Sequence, residues 1–357
     1  MTGLVSSYND FDPLEEIVVG TANGYHLPAV DTSLRHFFQI RDGGPELAER
    51  VDAARLARVV EETEEDLAAF SAALIELGVR VRRPEPWAAP TGLGEPVALP
   101  GWESTANHAL MPRDCLLVVG STVIEAPMPV RARYAETFPF RELLIEYFAA
   151  GARWLAAPRP QLADDTYRYA PDGRPVLAET EPLFDAANVI RCGTDLFFNV
   201  SNTGNRLAAR WLARALGDGF TVHEIEISDD HVGTTLHLLR PGLLLANAGR
   251  LGPGDVPAPL RSWKTLWFDE PADDGHGLDW PRASTWIGMN VVSVDRETVI
   301  VPEAQTGLMR LLEKEGLTVV PVPYRHGRTF GGGFHCCSLD VRRRGVLESY
   351  VEGRRRR

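Results

Sequence analysis

The chain has 357 residues, 44% of them hydrophobic, enough to bury a large core in one big domain or two ordinary ones. A formal net charge of −12 speaks against a nucleic-acid or anionic-membrane partner and suits a cationic small molecule. Cys115, Cys192, Cys336 and Cys337 show neither CxxC spacing nor a secreted disulfide pattern, and no apolar run approaches the ~20 residues of a membrane helix, so a reducing, cytoplasmic setting is expected.

From the N-terminus, Glu16-Ile17-Val18-Val19 reads as a strand. A long helix follows, with an apolar stripe at Leu56, Val60, Leu67, Phe70, Leu74 and Leu77, and then a strand at Val79-Arg80-Val81. A second unit holds Leu116-Leu117-Val118-Val119, a Gly120-Ser121 turn, Thr122-Val123-Ile124, an amphipathic stretch over 140–148, and Ala152-Arg153-Trp154-Leu155. A third runs from Asp195-Leu196-Phe197-Phe198-Asn199 through a helix over 206–216 to Thr221-Val222-His223-Glu224-Ile225. The fourth is weaker: Leu236 to Leu239 and Gly242-Leu243-Leu244-Leu245-Ala246-Asn247, then a degenerate stretch rich in Pro and Gly. The fifth is the clearest, with Asn290-Val291-Val292-Ser293-Val294, a polar turn, Val299-Ile300-Val301, a helix over 303–314 and Thr318-Val319-Val320 in ββαβ order.

Five such units without a GxGxxG or a P-loop make a doubly wound nucleotide fold a poor fit. Repeated units bury their faces by stacking, and a closed ring would do that. The Pro/Gly-rich stretches near 82–102, 156–175 and 250–282 read as long loops over one domain, roofing a site. Residues from about 350 to Arg354-Arg355-Arg356-Arg357 read as a flexible basic tail.

Each junction before the second, third and fourth units carries an ionisable residue: Asp114 in Met111-Pro112-Arg113-Asp114, Asp185 in Phe184-Asp185-Ala186-Ala187-Asn188, and His231 in Asp229-Asp230-His231-Val232-Gly233-Thr234. In a ring of equivalent modules these junctions fall on the same end near the axis. Asp114, Asp185 and His231 would then converge with Cys336, which follows Gly331-Gly332-Gly333 and is a candidate nucleophile. Read alone, the aspartates also suit turns or helix caps, and the cysteine suits an inert core position. His335 reads as a packing or hydrogen-bonding residue and Cys337 as a small core filler.

The motifs Phe184-Asp185-Ala186-Ala187-Asn188, Trp286-Ile287-Gly288-Met289-Asn290 and the stretch from Gly331 to Arg343 resemble the amidinotransferase family over nearly the whole chain. Asp12-Pro13-Leu14-Glu15-Glu16, Glu61-Glu62-Thr63-Glu64-Glu65 and Gly193-Thr194-Asp195-Leu196 are more similar to the inosamine-phosphate members of the streptomycin pathway than to the glycine amidinotransferases. The resemblance implies the pentein fold, an α/β ring of five ββαβ modules. It implies a single domain over residues 1–357, and transfer of the amidino group of L-arginine to an amine acceptor, here an aminocyclitol phosphate in aminoglycoside-type biosynthesis. Cys336 would attack the guanidinium carbon, ornithine would leave with a proton from His231, and the same histidine would deprotonate the acceptor. Asp114 and Asp185 match the family's carboxylates, and Arg250 matches an arginine that pairs with the donor's carboxylate. No cofactor and no metal are required. The substrates would be the only small-molecule partners, with a homo-oligomer left open.

One departure bears on the donor. The family usually carries an Asp two residues after the histidine, where this chain has Gly233. Asp229, Asp230, Thr234 or water would have to cover the loss, and restoring an Asp should then lower the KM for arginine. Three alternatives remain at this stage: a guanidino-compound hydrolase of the same fold, transfer to glycine or another amine, and a non-catalytic guanidino-binding protein.

Overall fold

The computed structural model of the chain describes residues 3–28, 30–38, 52–84, 94–273, 275 and 283–351. Among them are five three-stranded sheets of one pattern, in which a first strand pairs antiparallel with a second and the second pairs parallel with a third. In the second module these are Leu116–Val119, Thr122–Glu125 and Arg153–Ala156. The third has Val189–Cys192, Asp195–Asn199 and Thr221–Ile225, and the fourth Leu236–Arg240, Leu243–Asn247 and Lys264–Phe268. Val292–Ser293, Thr298–Pro302 and Thr318–Val322 make the fifth.

A parallel pairing needs a crossover. Helices Arg141–Ala149, Arg206–Leu216 and Thr306–Lys314 supply it in the second, third and fifth modules, while the fourth crosses with a 3-10 turn, Ala258–Leu260. Asn205 caps the third-module helix, its Oδ1 accepting from the Ala208 N–H at 2.9 Å, a bond of a kind that contributes about 1 kcal/mol.

The first module is assembled from both ends of the chain. Leu14–Val19 pairs parallel with Arg80–Arg82 across the long helix Ala53–Glu76, and its antiparallel partner is Ser338–Arg343. The N-terminal unit therefore lacks a first strand in its own sequence because the C-terminal strand provides it.

Hydrophobic clusters link each module to the next. One joins Val18, Leu339 and Val341 of the first to Val118 and Ile124 of the second and Leu196 and Phe198 of the third. A second joins Ile190 and Phe197 to Leu236, Leu244 and Ala246, and a third joins Leu243 and Leu245 to Val299 and Val301. The fourth brings Val292, Ile300 and Val322 of the last module against Ile17, Val19 and the helix residues Leu67, Phe70 and Leu74 of the first. Burial thus runs round a closed ring, the arrangement expected of the repeat.

Charges also meet where the first strands approach one another. Asp340 accepts from Arg191 at 2.7 Å, Arg343 at 2.7 Å and Arg113 at 2.5 Å, all buried. These cations hold its carboxyl well below the usual carboxylate range, although burial acts to raise it. Removing one partner would leave a charge buried without compensation, which makes the cluster costly to break.

Several elements differ from the sequence reading. Lys264–Phe268 lies inside a stretch read as loop, and hairpins Pro96–Leu99 with Trp102–Thr105 and Tyr167–Tyr169 with Pro175–Leu177 occupy the other two. Each strand is only three to five residues long. Val189–Cys192 was also missed, since the buried Arg191 interrupts its apolar pattern. Chain beyond about 350 does not begin as a free tail: the Tyr350 ring meets Phe11 edge-on at 5.0 Å. Arg354 to Arg357 lie outside the described residues. Among the described residues no helix is long and apolar enough to cross a membrane.

Candidate active site

A single helical turn or tight turn precedes the first strand of every module, and each turn delivers one polar side chain to the same end of the ring. Pro112–Cys115 carries Asp114, with proline at its first helical position, where the missing N–H costs nothing. Ala186–Asn188 follows Asp185, Val232–Thr234 follows His231, and Thr285–Met289 leads into Asn290. The turn closed by the Cys337 N–H to Gly333 O bond, 3.0 Å, carries Cys336. Its position is fixed from outside by Phe334, whose ring stacks on Phe70 of the long helix at 4.5 Å.

Asp114, His231 and Cys336 each offer a ligand or reacting atom, and these atoms lie within 4.8 Å of one another. All three line a cavity of about 950 Å³, open mouth included. Arg250 stands at its wall with Nη1 donating to the Thr234 and Thr235 hydroxyls at 2.9 and 3.1 Å. Asp185 does not line the cavity. It is fully buried behind the imidazole, with Oδ2 2.7 Å from His231 Nε2, so it faces the histidine and not the space a substrate would fill.

Burial raises the Asp185 carboxyl above the ordinary range, against the lowering pull of the His231 hydrogen bond and the Arg133 charge. For His231, burial acts to lower the pKa, but the Asp114 charge, the Asp185 bond and the contact with Cys336 outweigh it and hold it well above the usual value. The surrounding charges therefore favour the protonated imidazole.

Three further residues hold the cluster. Arg133 is buried and pairs with Asp114 at 3.0 Å, with Asp185 at 3.6 Å and with Glu136, whose carboxyl its charge helps to hold down at about 2 against the effect of burial. It offsets the repulsion between two carboxylates facing one histidine. Asn290 clamps the nucleophile segment: its Oδ1 accepts from Cys336 N–H at 2.9 Å, its carbonyl accepts from His335 N–H at 3.2 Å, and its Nδ2 donates to Gly233 O at 3.2 Å. One amide thus ties the turn bearing Cys336 to the turn bearing His231. From the other side Arg113 Nε donates to the carbonyls of His335 and Ser338, at 2.8 and 3.0 Å.

Sequence reasoning named neither Arg133 nor the role of Asn290. The junction rule contained the signal for Asn290, since the fifth module must have a junction too. Nothing in the sequence marks Arg133, which ends a 3-10 turn, Arg131–Arg133, after the second strand of its module. His335 sits behind the site against His237, ring centroids 5.2 Å apart, and burial depresses its pKa to about 3, so it is neutral there. Burial pushes Cys337 up to about 12, in keeping with a core thiol.

Gly233 is constrained by the clamp. A Cβ there would stand 2.7 Å from Asn290 Nδ2, and that amide is already bonded on both sides. Asp230 is the acidic residue of that loop that reaches the cavity. The expectation that Asp at 233 tightens arginine binding is therefore reversed. Gly233→Asp and Gly233→Ala should both lower kcat by about 10²-fold, the scale of an ångström-sized misplacement of a reacting group. Steady-state kinetics check this; a lower KM with kcat retained in the Asp variant would show that the clamp yields without cost.

No protein-family model matches the chain. It is 46% identical to inosamine-phosphate amidinotransferase 1 of Streptomyces glaucescens, over 97% of this chain and 99% of that one. A solved structure of the inosamine-phosphate amidinotransferase of Streptomyces griseus superposes with a TM-score of 0.90 at 44% identity, covering 98% and 99% of the two chains. The L-arginine:L-lysine amidinotransferase of Pseudomonas savastanoi pv. phaseolicola is 37% identical over 98% of this chain and 97% of its own. The five-module ring is the pentein fold, as the resemblance implied. The chain belongs to the amidinotransferase family and is an enzyme of amidino transfer.

Proposed function

We propose that the protein moves the amidino group of L-arginine to the amine of an aminocyclitol phosphate through a covalent amidino-cysteine on Cys336, releasing L-ornithine. The observation that carries this reading is the meeting of Cys336, His231 and Asp114 within 4.8 Å at one cavity wall. A guanidinium is planar and resonance-stabilised, so a carboxylate must orient it while a thiolate attacks its central carbon. Asp114 is suited to the first task, because its buried Oδ1 has no hydrogen-bond partner and would accept from a guanidinium N–H. Cys336 takes the second.

His231 enters the reaction protonated and gives its proton to the departing ornithine amine. Now neutral, it removes a proton from the acceptor amine as that attacks the amidino carbon. Asp185 acts through His231 as a positioning residue, and Arg250 is placed to meet the donor's α-carboxylate at the cavity wall. The aminocyclitol phosphate follows from similarity to the two inosamine-phosphate amidinotransferases. The test is acceptor-dependent ornithine: incubation with arginine and an aminocyclitol phosphate should yield ornithine and amidinated acceptor in equal amounts. Ornithine formed only with lysine or glycine would reassign the acceptor, and citrulline without ornithine would overturn the reading.

A pH prediction follows from the charges. Since the first half-reaction uses imidazolium, kcat/KM for arginine should fall as pH rises through the elevated pKa of His231. Asp114→Asn removes a negative charge that stabilises the imidazolium, so that pKa drops and the alkaline limb moves to lower pH. A limb that stays in place would mean that another group sets it.

A further inference from the structure

We propose that Phe37 sets the choice between amine and water as the acceptor, shielding the amidino-cysteine so that a transferase does not become a urea-forming hydrolase; this rests on the covalent mechanism above. The intermediate is open to any nucleophile that reaches its carbon. Water is abundant, and the neutral imidazole that activates an amine would activate water as well. What separates the two outcomes is the access of small molecules to the space beside His231.

Three sides of that imidazole are taken by Asp185, Asp114 and Cys336. Phe37 occupies a fourth, its ring centroid 6.0 Å from that of His231 at an interplanar angle of 44°. Phe37 is packed edge-on against Phe38 at 4.6 Å, and both line the cavity with Leu34 and Val130, which belong to the same apolar cluster. Apolar carbon offers water no hydrogen bond, so this wall disfavours a water held in line with the base.

The wall is held in place. Its helix, Thr32–Phe38, is tied to the second module by the Arg131 N–H to Ser33 Oγ bond at 3.0 Å. His36 Nε2 bonds the Val176 carbonyl at 3.1 Å, and Asn202 Nδ2 donates to the Phe37 carbonyl at 3.1 Å. Asn202 in turn donates its N–H to Asp229 O at 3.0 Å, two residues before His231. The helix is thus anchored to the loop whose histidine it covers.

The suppressed step balances simply. Water adds its oxygen to the amidino carbon as His231 takes one of its protons; the C–S bond then breaks, the Cys336 thiol is restored, and urea leaves. Overall, one arginine and one water give one ornithine and one urea.

The experiment compares wild type, Phe37→Leu and Phe37→Ala for urea and ornithine released from arginine without acceptor, and for amidinated product with it. Wild type should release little urea. Phe37→Ala should raise acceptor-independent urea by at least about tenfold, with Phe37→Leu between the two. Equal urea in all three, with transfer impaired, would overturn the proposal and leave Phe37 as an acceptor contact. If Phe37→Ala does not fold, the comparison of leucine with phenylalanine still decides, since leucine must release more urea. Failure of the covalent mechanism reads out separately, as a wild type that forms no ornithine with any acceptor.

Discussion

Cys336→Ala is expected to reduce amidino transfer by on the order of 10⁴-fold or more, the scale seen when a covalent nucleophile is removed from a working constellation. The loss should be chemical and not structural. The residue lines the cavity, and its backbone is held by the Asn290 Oδ1 bond to its N–H, which alanine keeps. The substitution removes one sulfur at the wall of an open space, so the core behind it, from Phe334 to Phe70, is unchanged. Two measurements check this together: ornithine release with acceptor present, and the thermal unfolding midpoint, which should shift little. With the donor bound at Asp114 and Arg250 as proposed, KM should change less than kcat. Residual transfer within about tenfold of wild type would mean that the amidino group never rests on this sulfur.

Asp185→Asn is expected to cost about as much, roughly 10⁴-fold in kcat, although the residue does not touch the cavity. A carboxylate that fixes a histidine's tautomer and supports its cation shows an effect of that size when made neutral. Here the carboxylate accepts from His231 Nε2 at 2.7 Å and helps hold the imidazole above its ordinary pKa. An asparagine can present its amide nitrogen there, which favours the tautomer protonated at Nδ1, the nitrogen nearer Asp114. The base is then blocked on its working side and the acid is weakened. Arginine binding should be nearly unaffected, so the loss should appear in kcat; a loss confined to KM would show instead that Asp185 reaches the donor.

The repeat was legible because its strands are short apolar runs between turn residues, and because four of its five crossovers are helices. Leu116–Val119, Arg206–Leu216 and Thr221–Ile225 are found at the residues read from sequence. The closed ring was read from the repeat, but not the strand that closes it: the partner of Leu14–Val19 lies over three hundred residues away, and no local pattern announces a pairing at that distance. The strand after the fourth module's Pro/Gly-rich crossover was hidden for a different reason, since a 3-10 turn replaces the helix that marks the unit elsewhere. Of the site, the junction argument brings Asp114, Asp185, His231 and Cys336 together, and the structure finds all four at one end of the ring. It did not separate their duties. Whether a carboxylate faces the cavity or the back of a histidine depends on the direction of one side chain, which is set by packing.

The strand that closes the ring begins two residues after Cys336. Along the chain, the thiol and the strand that seats it come after the strands of the other four modules. Until Ser338–Arg343 pairs with Leu14–Val19, the Asn290 and Arg113 bonds have no fixed turn to hold, and His231 has no sulfur beside it. The pairing that closes the ring is thus the same one that sets Cys336 in its turn beside His231.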